Sequence, residues 1–395
     1  MAPKYDFDTV INRSGTSCLK YDFGMARMGR DDLLPLWVAD MDFALPDEVL
    51  DDIISRTRHG IFGYTDPDRA YYEAVRGWYQ RRHGYTIKDE WITIAPGVVY
   101  AIACAVKAFT GPGDAVIIQQ PVYYPFAETV DLNGRKLVNN QLVYKDGCYS
   151  IDFDDLEKKI VDNDVRLFIF CSPHNPVGRV WTKDELIKLA DICIKHGVYI
   201  FADEIHSDFV YPGYKHTSFM TLGDKYTEKL ILGTSPSKTF NIAGLQVANV
   251  IIPDETTRKT YRKESFASGY SQGNTLGLVA TTSVYTKGEE WLDELLLYLW
   301  QNISYVRDFV KDNLPDVRFI EPEGTYLVWL DFSAYTDNRD DLKRLIVDEA
   351  KLWLDPGIIF GRETALFERI NIACPRSLII RAMEQLNEAV KRRKR

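Results

Sequence analysis

Four stretches of this 395-residue chain set reactive side chains directly after apolar runs. The first is Ser235-Pro236-Ser237-Lys238-Thr239-Phe240, which follows the apolar residues 230–232. A lysine just past a buried strand can form an imine with an aldehyde cofactor once its amine is neutral. Its reference pKa of about 10.4 must fall for that, and desolvation beside a cationic ring lowers it. Ser235 and Ser237 offer hydroxyl donors to a phosphate. Taken alone, the run reads equally well as a polar turn with a surface lysine. The second stretch is Ala202-Asp203-Glu204-Ile205-His206, after the apolar residues 199–202. A carboxylate there can keep a pyridine nitrogen protonated, so that the ring takes up electrons. A plain helix-capping aspartate would look the same.

The third stretch is Ser172-Pro173-His174-Asn175-Pro176-Val177-Gly178. Asn175 can donate to a phenolate oxygen, and the flanking prolines restrict the loop that carries it. Asn-Pro is also an ordinary turn signal. The fourth is Ala95-Pro96-Gly97-Val98-Val99-Tyr100, which opens a helical run to Phe109. Backbone amides at a helix start favour a phosphate. No G-x-G-x-x-G fingerprint or Walker loop competes with it. Each signal is modest by itself, but together they set a lysine, an aspartate, an asparagine and a phosphate cradle at successive strand ends.

The elements that must position these groups follow from periodicity. Residues 116–118, 167–170, 199–202, 230–232 and 247–252 read as buried strands. Residues 183–196 read as a helix with Leu186, Leu189, Ala190 and Cys193 on one face. Strands alternating with helices imply an α/β fold whose mainly parallel sheet is covered on both sides, with ligands beyond the carboxyl ends of its strands. The last third differs: 291–314 is a long amphipathic helix, 324–332 a strand, 339–351 a helix and 377–394 a closing helix. We expect an arm and part of a small domain over 1–45, a large domain over 46–285 and a small α+β domain over 286–395.

Composition narrows the function classes. The net charge of −9 argues against a general nucleic-acid binder, and the basic run 391–395 reads as a solvated tail. The six cysteines form no C-x-x-C pair, so neither a zinc nor a redox motif is indicated and no metal is expected. No stretch approaches a membrane span, and the first residues lack a signal pattern, so the expected location is cytoplasmic.

These residues resemble fold-type I pyridoxal 5'-phosphate (PLP) enzymes of the class I/II aminotransferase superfamily. The likeness is closer to the branch of cystathionine β-lyase-like C–S lyases of the cystalysin or MalY/PatB type, and it covers nearly the whole chain. Arg13-Ser14-Gly15-Thr16, Lys20-Tyr21-Asp22, Leu36-Trp37-Val38-Ala39-Asp40-Met41-Asp42-Phe43, Gly63-Tyr64, Pro121-Val122-Tyr123-Tyr124-Pro125-Phe126 and Arg369-Ile370-Asn371-Ile372-Ala373 carry it.

The resemblance implies a seven-stranded, mostly parallel sheet in the large domain. It implies that Lys238 holds PLP as a Schiff base and moves protons, that Asp203 pairs with the pyridinium and that Asn175 binds the phenolate oxygen. Tyr123 would stack on the ring. Val98, Val99, Ser235 and Ser237 would form the phosphate cup, and Tyr64 would reach it from a neighbouring subunit, making a homodimer with a shared site. Arg369 would clamp the substrate carboxylate, with Val38, Ala39 and Asn175 lining that pocket. Three positions depart from the family pattern. His206 stands where aminotransferases usually have a tyrosine against the cofactor, Gln246 where many have an arginine, and Tyr21 where the branch has a tryptophan, which reads as a change of packing. The implied reaction is α,β-elimination from L-cystathionine or a related cysteine S-conjugate, giving pyruvate, ammonia and a thiol. The alternative is an aminotransferase. A purely regulatory binding protein is disfavoured by the intact lysine, although some relatives bind a regulatory protein.

Overall fold

The computed structural model describes residues 3–393. At its centre lies a sheet of seven strands: β1 (Ile92–Ala95), β2 (Ala115–Ile118), β3 (Lys136–Asn139), β4 (Val165–Cys171), β5 (Tyr199–Asp203), β6 (Leu230–Thr234) and β7 (Ala248–Ile251). Their spatial order is β1-β7-β6-β5-β4-β2-β3. β7 runs antiparallel to both neighbours, and every other pairing is parallel. The expected α/β architecture is therefore present, and all five strands expected from apolar runs lie in this sheet.

β4 shows why those runs were continuous rather than alternating. Phe168 and Phe170 enter the core on one face, while Leu167, Ile169 and Cys171 enter the core on the other. A sheet buried on both faces needs apolar side chains at both phases of the pleat. The helices Val98–Phe109, Pro125–Leu132 and Glu255–Ala267 cover one face. Arg69–His83, Phe153–Asp162, Lys183–Lys195 and Thr275–Lys287 contribute to the core on the other. Lys183–Lys195 matches the expected helix and begins with a capping box, in which the Thr182 hydroxyl accepts from the Glu185 amide and the Glu185 carboxylate accepts from the Thr182 amide.

A second, antiparallel sheet orders Arg318–Ile320, Leu327–Asp331, Phe367–Asn371 and Asp355–Pro356 side by side. The long helix Glu289–Asn313 and the closing helix Arg376–Arg393 pack with it, and Asn302 Nδ2 ties them by donating to the carbonyls of Ile372 and Cys374 at 3.0 Å. The helix expected over 339–351 is α-helical only over Arg339–Lys343 and widens to a π-turn over Arg344–Glu349. The N-terminal stretch is mostly irregular. It contains the short helix Gly24–Met28 and the strand Leu34–Pro35, which pairs in parallel with Leu352–Trp353. Phe7 pins its start, edge-on against Phe43 at 5.2 Å and Trp291 at 5.6 Å. Among the described residues, no helix is long and apolar enough to cross a membrane, and no cluster of side chains could hold a metal ion.

Candidate active site

Three adjacent parallel strands deliver the three central residues. Asp203 ends β5, Asn175 lies four residues beyond β4, and Lys238 lies four residues beyond β6. The ladder continues past the strand ends, where the Ser172 amide donates to Asp203 O and the Glu204 amide to Gly233 O, both at 2.9 Å. The three loops therefore leave the sheet in register. They meet at one cavity, whose wall also includes Ala39, Val98, Val99, Tyr123, Ile205 and His206. Eight of the residues expected from sequence are thus brought together.

The electrostatics of the cavity suit covalent chemistry on an amine. Burial, helped by the Arg369 charge, lowers the Lys238 ammonium to about 8. Its Nζ donates to the Ala39 carbonyl at 2.6 Å and has no carboxylate within hydrogen-bonding distance. Burial raises Asp203 to about 7, against the Ile205 amide, which donates to its Oδ1 at 3.1 Å. The His206 imidazole is held well below its ordinary value by burial and by the nearby cations, so it is neutral, and its Nδ1 has no partner.

The Asn175 loop is tied to its neighbours. Asn175 Oδ1 accepts from Arg369 Nη1 at 2.9 Å. His174, lowered to about 4 by burial, is neutral, and its Nε2–H donates to the Pro121 carbonyl at 2.9 Å. That bond joins the loop of Asn175 to the loop of Tyr123. Sequence reading assigned His174 no role, and nothing in its local run signals one.

The segment Leu36–Phe43 forms the opposite wall. The Ala39 carbonyl accepts from Tyr326 Oη at 3.0 Å as well as from Lys238, and Asn371 Nδ2 donates to the carbonyls of Val38 and Asp40 at 2.6 Å. An ionic knot, buried at Lys20 and Asp42 and half-buried at Arg13 and Asp40, holds the segment down. Arg13 bonds Asp40 and Asp42 at 2.6 Å, and the fully buried Lys20 bonds Asp42 at 2.8 Å. Tyr21 was expected to differ from tryptophan only in packing. Its hydroxyl in fact donates to Asp42 Oδ2 at 2.9 Å and joins the knot.

The phosphate end is less complete within one chain. Val98 and Val99 begin the helix Val98–Phe109, whose first amides are free for an anion. Gly233 lets that helix sit close, because a Cβ there would lie 2.8 Å from the Phe201 ring and 3.0 Å from Val98 Cγ1. Ser235 caps the turn of Lys238: its Oγ accepts from the Ser237 amide at 3.0 Å and donates to the Val247 carbonyl at 2.6 Å. Ser235 thus caps the turn, and Ser237 stands beside it, 2.6 Å between hydroxyls. Gln246 is exposed and has a positive φ of 51°. Tyr64 is 97% exposed and does not join the cavity of its own chain.

The donor set fits a charged pyridine bearing an aldehyde, a phenolic oxygen and a phosphate. A buried amine awaits the aldehyde, and a buried carboxylate with one amide donor awaits a ring N–H⁺. The Asn175 amide nitrogen, which has no hydrogen-bond partner among the described residues, awaits an oxygen.

Residues 31–386 match the family model of class I and II aminotransferases, and the chain belongs to that family. It is 43% identical over 385 residues to cystathionine β-lyase PatB of Bacillus subtilis (strain 168), covering 98% of this chain and 100% of that one. It is 32% identical to protein MalY of Escherichia coli (strain K12), covering 98% and 99%. The crystal structure of cystalysin from Treponema denticola, which contains a PLP cofactor, superposes with a TM-score of 0.95 at 40% identity over 98% of this chain and 99% of that one.

Proposed function

We propose that the protein is a PLP-dependent carbon–sulfur β-lyase, which cleaves L-cystathionine or a related cysteine S-conjugate to pyruvate, ammonia and a thiol. The convergence of Lys238, Asp203 and Asn175 on one cavity carries the cofactor assignment. Likeness along the whole chain to PatB and cystalysin supports the lyase outcome.

Bound PLP supplies an electron sink for the charge left on the substrate Cα. The chain's residues do the rest. Lys238 Nζ would hold the cofactor as a Schiff base and, as a free amine, would take the α-proton of the substrate; an amine near pKa 8 is neutral often enough for that task. The same ammonium can return a proton to the departing sulfur. Asp203 would keep the ring nitrogen protonated, Asn175 Nδ2 would donate to the phenolic oxygen, and Tyr123 would pack on the ring. The neutral His206 would line the cofactor's side of the cavity without adding charge. The amides of Val98 and Val99 and the hydroxyls of Ser235 and Ser237 serve the phosphate. Arg369 takes the α-carboxylate, beside Asn175 and the backbone of Val38 and Ala39, because a guanidinium fork matches a carboxylate.

The active unit in this reading is a homodimer, with Tyr64 of each chain completing the phosphate cup of the other. Its full exposure, beside Ile61 at 67% and Phe62 at 55%, supports a surface that a second copy covers. The six unpaired cysteines agree with a cytoplasmic location. The separation of the two sheets, 92–251 and 318–371, supports the division into large and small domains.

The deciding experiment follows pyruvate, ammonia and free thiol from L-cystathionine with PLP-loaded protein. Pyruvate and homocysteine in equal amounts, absent in Lys238→Ala, are expected. No pyruvate, with the cofactor passing to its pyridoxamine form, would make it an aminotransferase.

A further inference from the structure

Arg369 meets its substrate already paired. Asp355 lies directly opposite it in the antiparallel pairing of Asp355–Pro356 with Phe367–Asn371. Both are buried, at 2% and 7% exposure. Arg369 Nη2 donates to the Asp355 carboxylate and, at 2.9 Å, to the Trp37 carbonyl. Nη1 donates to Asn175 Oδ1 at 2.9 Å, and the Phe360 ring lies 4.8 Å from the guanidinium carbon. Nε is buried without a partner. Of the five N–H bonds of the fork, three are engaged, and Nε–H and one Nη1–H are left for a ligand. Asp355 has no hydrogen-bond partner other than Arg369 among the described residues.

A buried guanidinium without a counter-ion is strongly disfavoured, so a carboxylate entering such a site would be held by the relief of that penalty. With Asp355 in place the charge is already met, and an entering carboxylate gains less. The orientation of the fork does not depend on the Asp355 charge, since Trp37 O, Asn175 Oδ1 and the Phe360 ring also fix it.

We infer that Asp355 is a resident counter-charge that weakens the grip of Arg369 on the substrate α-carboxylate. The consequence is release: the keto-acid product carries the same carboxylate, and a fully uncompensated arginine would retain it. This inference rests on Arg369 as the carboxylate clamp, proposed above.

The test measures inhibition of the PLP-loaded enzyme by propionate and by propionamide, which share a shape and differ in charge. Asp355→Asn keeps an oxygen acceptor for Nη2 and removes the charge. The propionate Ki is expected to fall about tenfold in this variant, and the propionamide Ki to stay within twofold. Asp355→Ser, a second charge-free variant, is expected to show the same split if Asp355→Asn does not fold. Arg369→Lys is run alongside and is expected to raise the propionate Ki. A propionate Ki that is unchanged or higher in the charge-free variants, with Arg369→Lys raised as expected, overturns the counter-charge role and leaves the clamp standing. An unchanged propionate Ki in Arg369→Lys overturns the clamp, and this inference with it.

Discussion

Lys238 must be a nucleophile, an anchor and a proton carrier in turn, and each task needs its amine neutral part of the time. Enclosure and the Arg369 charge bring it to about 8. In protein stripped of cofactor, the rate of PLP attachment should therefore climb from pH 6 and level off near pH 8. An ordinary surface lysine would keep gaining towards about pH 10.4. The growth of imine absorbance on adding PLP reads this directly. Lys238→Ala should lower pyruvate release about 10³-fold or more, the usual scale for losing a general base. Asp203 makes the complementary prediction. In the folded, cofactor-free protein it keeps its proton up to about pH 7, whereas the unfolded chain releases it near pH 3.9. The folded state then binds more protons between those values, so the contribution of this group to stability falls as pH rises from about 4 to 7. Melting of cofactor-free protein across that window should fall more steeply in the natural protein than in Asp203→Asn. Parallel curves would mean that Asp203 is ionised in the folded state.

The N-terminal arm works as an element even though it has little regular structure. Its knot of Arg13, Lys20, Tyr21, Asp40 and Asp42 holds the segment whose Ala39 carbonyl faces Lys238. Asp42→Ala would leave Lys20 buried with only Asp40 3.7 Å away. Removing one partner of a buried pair costs about 3–5 kcal/mol, so the midpoint of urea unfolding should drop accordingly. A loss of unfolding free energy below about 1 kcal/mol, the scale of an exposed pair, would show the knot to be solvated in solution. Elements were unevenly legible in the sequence. The central strands announced themselves because both of their faces are buried. β1 and β3 did not: they are the two edge strands and only partly buried, and Lys136 and Asn139 end β3 with polar side chains. The hairpin of Val143–Lys145 with Cys148–Ser150 went unread although it carried its signal. Asp146 and Gly147 both have positive φ, the conformation that favours Asp-Gly in two-residue turns. Asp355 had no readable signal, since its role arises only when two short strands meet. The same holds for His174, whose partner Pro121 is distant in sequence.

At the scale of the whole molecule, the exposed Tyr64 separates one-chain from two-chain models of the site. If each cup borrows Tyr64 of the partner subunit, then Lys238→Ala and Tyr64→Ala proteins, each impaired alone, should complement each other. A mixed dimer has one site with both lesions and one with neither. Random reassortment makes roughly half of the dimers mixed, so about a quarter of the natural activity should return. Failure to regain activity, with exchange of subunits verified, would confine the site to one chain. The architecture as a whole was more legible than the site: the α/β class followed from alternating strands and helices, and the seven-strand count came from the resemblance. Which side chains meet across the cavity depends on loops whose course local sequence does not determine.

Gly233 sets a manufacturing tolerance for the enzyme. It acts as a spacer of zero thickness between β6, the Phe201 ring and the first residue of the helix Val98–Phe109. The address at which that helix presents its amides is fixed by an atom left out. One methyl group in Gly233→Ala should displace the helix start by tenths of an ångström and leave most of the sheet as it was. Such a variant would fold and turn yellow at high PLP, then bleach on dilution. Its defect would be a matter of fit, at a point the substrate never touches.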